Sequence, residues 1–169
     1  MASSLESAIN LTAYIPAVET RATRYNEIYR ENCDRIYSLA FWMTDNELAA
    51  EELSTNTFLR AFAASDEPAV DQIDLAFLAE VRELMLVGVL TLNLSPSSPA
   101  KSVHGNIKRI HLELAVVQLP STEKLIFLLH DVEGYQHERI SRFLGITPEE
   151  SRSGLHQARI AIRNLIAQM

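Results

Sequence analysis

Two groups of side chains in this 169-residue chain are of types and spacings that could do chemistry. The first is His130, Asp131, Glu133, His137 and Glu138, metal- and proton-capable groups crowded into one short stretch. A metal or hydrolytic centre needs ligands that converge on one point with partners behind them. Here the two histidines do not stand at i, i+4 and Gly134 interrupts the segment, so it reads as a polar turn, and no metal or cofactor is expected. Cys33, the single cysteine, lies beside Asp34 and Arg35. It cannot form an internal disulfide or a zinc knuckle, and it reads as a small apolar side chain in a reducing compartment. A glycine-rich phosphate loop and a nucleophile elbow are both missing, so the chain does not read as an enzyme. The second group is Arg152, Arg159 and Arg163, with Ser153, His156 and Gln157 between them. Arginines bind phosphates, and short polar side chains reach base edges, so the chemistry on offer is non-covalent contact with nucleic acid.

Those residues need a helix to align them, and the sequence supplies one. Thr147-Pro148-Glu149-Glu150 combines an N-cap hydroxyl, a proline at the first helical position and a glutamate three residues after the cap, the pattern of a capping box. Leu155, Ala158, Ile162, Leu165, Ile166 and Met169 then repeat on one apolar stripe. A short helix over His137 to Leu144 precedes it, with Gly145 where a left-handed cap is wanted. Helix, glycine turn and capped helix make a helix-turn-helix whose second helix enters a major groove.

The rest of the chain reads as all-α. A short leading helix is expected to stop before Pro16, because the residue ahead of proline is pushed out of helical geometry. A long amphipathic helix follows from about Thr20 to Thr44, with Tyr25, Ile28, Tyr29, Ile36, Leu39, Ala40 and Met43 on one face. Tyr37, Phe41 and Trp42 join that core rather than stack on bases. Asp45 or Asn46 caps a second helix reaching about Ala64. A third is marked by Ile73, Phe77, Val81, Leu84, Met85 and Gly88, apolar on nearly all sides in its second half, and is expected to be covered by another part of the chain, another copy or a separate protein. Residues 93–110 are rich in Pro and Ser and carry Lys101, Lys108 and Arg109, a linker whose cations either follow nucleic acid or are simply solvated. Further helices end at Leu119-Pro120 and, after Leu125 to Leu129, at Gly134. The expected organisation is a helical domain over 1–92, a linker over 93–110 and a helix-turn-helix domain over 111–169.

Composition and charge exclude several classes. Apolar residues make up 47% and charged residues 22%, so wholesale disorder is not expected. Leu84 to Leu94 is too short to span a bilayer, and the first residues lack the basic start and apolar run of an export signal, so a cytoplasmic location without membrane contact is expected. The net charge is -7. Residues 1–92 hold 6 Lys and Arg against 15 Asp and Glu, residues 93–110 hold 3 against none, and residues 111–169 hold 6 against 7. Such a balance argues against a free-standing nucleic-acid binder, which draws its non-specific affinity from a basic face.

Two blocks of residues together resemble the extracytoplasmic-function sigma factors, small bacterial subunits that bring RNA polymerase to promoters. The C-terminal block is Leu119-Pro120, Leu125 to Leu129, His130 to Tyr135, Ile140, Leu144-Gly145-Ile146, Arg152-Ser153, Leu155-His156 and Ala158-Arg159, which looks like sigma region 4. The N-terminal block, Tyr29, Asp34, Tyr37, Leu39-Ala40, Met43-Thr44, Ala50 to Leu53 and Thr57 to Phe62, is similar to the start of region 2. The resemblance implies that the N-terminal half grips core RNA polymerase, through Glu51, Glu52, Leu53, Thr55, Asn56 and Arg60, and opens promoter DNA. It implies that the C-terminal half reads an upstream promoter element through Arg152, Ser153, His156, Gln157, Arg159 and Arg163. Glu51 and Glu52 are equally readable as solvated charges at a helix start.

The sequence departs from that family at informative places. Thr55-Asn56 stands where the family commonly has Gln-Glu, and Phe77 through Gly88 lacks the polar and cationic groups that hold opened strands. Glu149, Glu150, Gly154 and Gln157 replace small, hydroxyl or basic residues of the recognition helix, and Gly154 also costs that helix about 1 kcal/mol relative to alanine. Two functions therefore stand side by side. One is a sigma-like initiation protein that binds core polymerase and directs promoter recognition. The other is a regulatory or interaction module that has lost promoter melting, binds DNA weakly or not at all, and uses its apolar third helix for an anti-sigma protein or for self-association. In either case region 4 is expected to dock compactly against that third helix.

Overall fold

The computed structural model describes residues 3–92, 105 and 107–169, with side chains from residue 20 onward. All the regular structure described is helical. The N-terminal half is a bundle of α1 (Ser3–Thr44), α2 (Glu47–Ala64) and α3 (Val70–Leu84). Asp45 takes a left-handed φ of 51° after α1, and the Asn46 side chain accepts the Ala49 N–H at 2.9 Å, so the chain reverses tightly into a capped α2. The apolar faces then meet as the periodicity requires, Ile36, Leu39, Ala40 and Met43 against Ala50, Leu53, Phe58 and Ala61 and against Ile73, Phe77 and Val81. Thr57, fully buried, donates its hydroxyl to the Leu53 carbonyl at 2.8 Å, so its polar atom has a partner in the core.

The C-terminal half holds α4 (Arg109–Val117), α5 (Ser121–Phe127), a π-helical turn over Leu128–Val132, α6 (His137–Leu144) and α7 (Pro148–Ile166). The expected helix-turn-helix is present. Gly145 adopts φ 72° and its N–H closes on the Ser141 carbonyl at 2.9 Å. The Thr147 hydroxyl accepts the Glu150 N–H at 3.1 Å while the Thr147 N–H donates to the Glu150 carboxylate at 2.7 Å, the two reciprocal bonds of a capping box. Those bonds, rather than burial, hold the Glu150 carboxyl below its ordinary range.

Three expectations, on α1, on α3 and on the seat of the packing between the halves, need correction. Helix α1 runs through Pro16 instead of stopping before it. Proline removes one backbone donor and crowds the preceding turn, which weakens a helix there without being bound to end it. Helix α3 ends at Leu84, not near Gly88, because Gly88 takes φ 105° and the backbone beyond Met85 finds its partners in the other half of the molecule. The expected linker over 93–110 lies almost wholly outside the described residues; α4 begins inside that range, at Arg109. The compact packing is present, but its seat is the irregular segment 85–92 and the start of α3, not an apolar continuation of that helix. The buried residues of both halves form one continuous cluster, with Leu39, Phe77 and Leu78 lining the same crevice as Leu125, Leu129 and Phe143.

Candidate nucleic-acid interface

On α7 the buried stripe of Ser151, Gly154, Leu155, Ala158 and Ile162 faces the domain core and leaves the opposite side to solvent. Arg152, Ser153, His156, Arg159 and Arg163 are all exposed there and follow the helical repeat along one face. Five of the six expected contact residues therefore share a surface. Gln157 does not fully join them. It is half-buried, its amide nitrogen lies 3.3 Å from the Ser153 hydroxyl, and its buried carbonyl oxygen has no partner among the described residues.

Two of the three arginines of this face, Arg152 and Arg159, are held by carboxylates of their own chain. Arg152 meets Glu149 at 3.1 Å and Glu138 of α6 at 3.2 Å. Arg159 makes a two-pronged contact with Asp131, Nε to one oxygen at 3.0 Å and Nη2 to the other at 2.6 Å. Asp131 also meets His130 Nδ1 at 2.8 Å. Burial would raise the Asp131 carboxyl, but the bonds from Arg159 and His130 outweigh it and hold it below the ordinary range. The His130 ring stacks on that of His137 with centroids 4.6 Å apart, and His137 Nδ1 lies 2.9 Å from the hydroxyl of buried Ser151. Desolvation first, then the neighbouring His130 and Arg152, push the His137 imidazole down.

Of the five metal-capable groups of this stretch, the two imidazoles stack on each other and the three carboxylates turn apart. Asp131 turns to Arg159, Glu133 to Arg35 at 3.7 Å, and Glu138 to Arg152, so their carboxylates neutralise arginines rather than converge on a cation.

On α2, Glu51, Glu52 and Thr55 are exposed and Asn56 is half-buried. Leu53 is corrected: at 2% exposure it is a core residue and cannot touch a partner. Arg60 is exposed but engaged, its guanidinium bridging Glu80 and Glu83 of α3. Tyr37, Phe41 and Trp42 pack on the core as expected while each keeps one edge on a groove that also includes Arg109, Ile110 and Leu114. Cys33 is half-buried, its sulfur 3.6 Å from the Asp34 carboxylate.

Two features escaped sequence reasoning because their partners lie far apart in the chain. The first joins the halves through charge. Asp74 of α3, 7% exposed, meets Arg35 of α1 at 2.7 Å, the Tyr135 hydroxyl at 2.6 Å and Arg139 of α6 at 3.1 Å. Arg139 also lies 3.7 Å above the Tyr135 ring, and Arg82 donates to the Phe143 carbonyl at 3.0 Å. Burial, then the bond to Asp74, push the Tyr135 phenol far above its ordinary value. Burial likewise raises Glu133, with Arg35 pulling the other way. The second feature is Glu123, fully buried yet ionisable, whose carboxylate takes backbone N–H groups from the segment after α3.

Residues 110–162 match the family described as Sigma-70, region 4. The chain is also similar to the ECF RNA polymerase sigma factor SigE of Mycolicibacterium smegmatis, 26% identical over 162 residues that take in 85% of this chain. It spans 62% of that relative's length. A region 4 match over α4 to α7 and a sigma-factor relative aligned with most of this chain together make the protein similar to the extracytoplasmic-function sigma factors.

Proposed function

We propose that the protein is a transcription-initiation subunit that joins core RNA polymerase through the exposed face of α2 and directs it to promoter DNA through α7. The observation that carries this is the single solvent face of Arg152, Ser153, His156, Arg159 and Arg163 on a capped helix within a region 4 fold. It acts by binding, with no covalent step of its own, and works in the cytoplasm; among the described residues no helix is long and apolar enough to cross a membrane. The partner surface on α2 is Glu51, Glu52, Thr55 and Asn56, with Arg60 held in place by α3. The two domains divide within 93–110, ahead of α4. A regulatory protein or a second copy would bury Leu84, Leu86 and Val89, which stand out to solvent at the end of α3 and just after it.

DNA affinity in this reading is low, because phosphates must displace Glu138, Glu149 and Asp131 from the arginines. The test is transcription with purified chain and core polymerase on a library of promoter fragments. Promoter-dependent transcripts that vanish in the Arg152→Ala/Arg159→Ala/Arg163→Ala variant are expected. An absence of transcripts despite a stable complex with the polymerase would leave a regulatory module instead.

A further inference from the structure

Beyond Leu84 the chain does not continue as a helix but runs as a strap across the C-terminal half. Met85, Val87 and Leu90 turn toward the common core, while Leu86 (92% exposed) and Val89 point to solvent. The strap is held by its backbone. The Gly88 N–H donates to the Thr122 hydroxyl at 3.1 Å, and the Thr91 and Leu92 N–H groups both donate to one Glu123 oxygen, at 2.6 and 2.7 Å. The Thr91 hydroxyl also approaches that carboxylate, at 3.4 Å from its second oxygen. Thr122 and Glu123 are adjacent on α5 and are 2% and 0% exposed. A carboxylate is taken out of water at this cost only where it is well supplied with donors, and here the described donors all come from the strap.

The cleft is also shaped for this occupant. A Cβ on Gly154 of α7 would come within 2.7 Å of a Leu90 methyl and 2.7 Å of an Ile126 methyl, so the bare glycine is what makes the seat for Leu90. A Cβ on Gly88 would lie 2.9 Å from the Leu144 carbonyl oxygen, so the strap's own glycine permits backbone-to-backbone approach at the end of α6. Gly154 occupies the position where the resemblance leads one to expect a basic recognition residue. Its absence is explained by what sits against it.

We infer that the cleft between α5 and α7 is a binding site for an extended peptide, and that residues 85–92 are its resident ligand, a releasable strap that clips the first half of the molecule to the second. The strap and the Asp74 network are then two separate ties between the halves. The site itself is independent of the promoter reading; only its consequence, that the strap leaves when the halves part to engage DNA, rests on that reading.

Hydrogen exchange of the full chain tests the site. Glu123→Leu removes the acceptor and keeps apolar bulk, while Glu123→Gln retains one acceptor oxygen. Exchange at Thr91 and Leu92 should rise at least tenfold in Glu123→Leu and less than threefold in Glu123→Gln, with Leu155 and Ala158 of α7 protected throughout. Gly154→Leu, which fills the seat of Leu90, should behave like Glu123→Leu. If Glu123→Leu does not fold, Leu90→Gly, outside every helix, is read the same way. Spin labels at Ala63 and Ser153, in a Cys33→Ser background, should give one narrow distance in Asp74→Asn and a broad, longer distribution once Glu123→Leu is added. Unchanged exchange at Thr91 and Leu92, or a distance that stays narrow with both ties cut, would overturn the inference. Failure of the transcription assay with all variants, parent included, would count against the promoter reading alone, because exchange and distance decide the strap without it.

Discussion

Removing the Asp74 carboxylate should loosen the junction between the halves more than any other single side-chain change on this surface. Asp74→Ala leaves the Arg35 and Arg139 guanidinium groups, 21% and 30% exposed, without their shared counter-ion and leaves the Tyr135 hydroxyl without its acceptor. Cutting one partner out of a fully buried ion pair costs about 3–5 kcal/mol. Partial exposure of both guanidinium groups, and the other carboxylates within reach of them at Asp71 and Glu133, reduce that to about 2–3 kcal/mol. For a chain of this length each kcal/mol lowers Tm by about 2–4 °C, so a fall of about 4–12 °C is expected. Thermal unfolding followed by circular dichroism reads it directly, and urea unfolding should show a lower midpoint with an unchanged slope. Asp74→Asn keeps an acceptor for Tyr135 and should lose less. Adding Arg139→Ala to Asp74→Ala should cost less than the sum of the two single changes, since the guanidinium is no longer stranded. A Tm within 2 °C of the parent for Asp74→Ala would refute the view that this network ties the halves together.

Other expectations follow from single contacts. Thr147→Ala removes the acceptor for the Glu150 N–H and should cost about 1 kcal/mol, seen as a Tm lower by about 2–4 °C. The His137 imidazole is depressed in the fold relative to its ordinary 6.5, so the unfolded chain binds the extra proton first. Its contribution is complete above that value and lost as pH falls through the folded one; urea midpoints measured from pH 7 to 5 should fall less steeply in His137→Gln. Asp131, also depressed, contributes above the ordinary carboxylate range and loses that contribution as pH drops through its folded value, so Asp131→Asn should flatten the acid limb at lower pH. In DNA binding, Arg163→Ala should reduce the slope of log K against log salt by about one, uniformly across sequences. Glu138→Gln, by removing one of the two carboxylates on Arg152, should tighten DNA binding a few-fold at low salt and leave it unchanged at high salt, as measured by fluorescence anisotropy.

The local features of this protein are legible in the chain itself. Thr147, Pro148 and Glu150 start α7 with bonds that span three residues, Gly145 supplies the left-handed turn because without a Cβ it reaches that backbone at no steric cost, and the spacing of Arg152, His156, Arg159 and Arg163 puts them on one face of any helix. Neighbours in sequence decide these things, so sequence alone determined the helix-turn-helix and its outward face. Tertiary structure decided the rest. Apolar periodicity runs through Met85 and Gly88 as though α3 continued, and it is Thr122 and Glu123, some thirty residues away, that make an extended strap the better answer by taking its amide groups. Leu53 looks like a neighbour of the exposed Glu51 and Glu52 until three helices close over it. Asp74 carries no local sign that Arg35, Tyr135 and Arg139 will surround it. A buried charge becomes tolerable only when its partners arrive from other elements, and the order of the residues does not record which ones will.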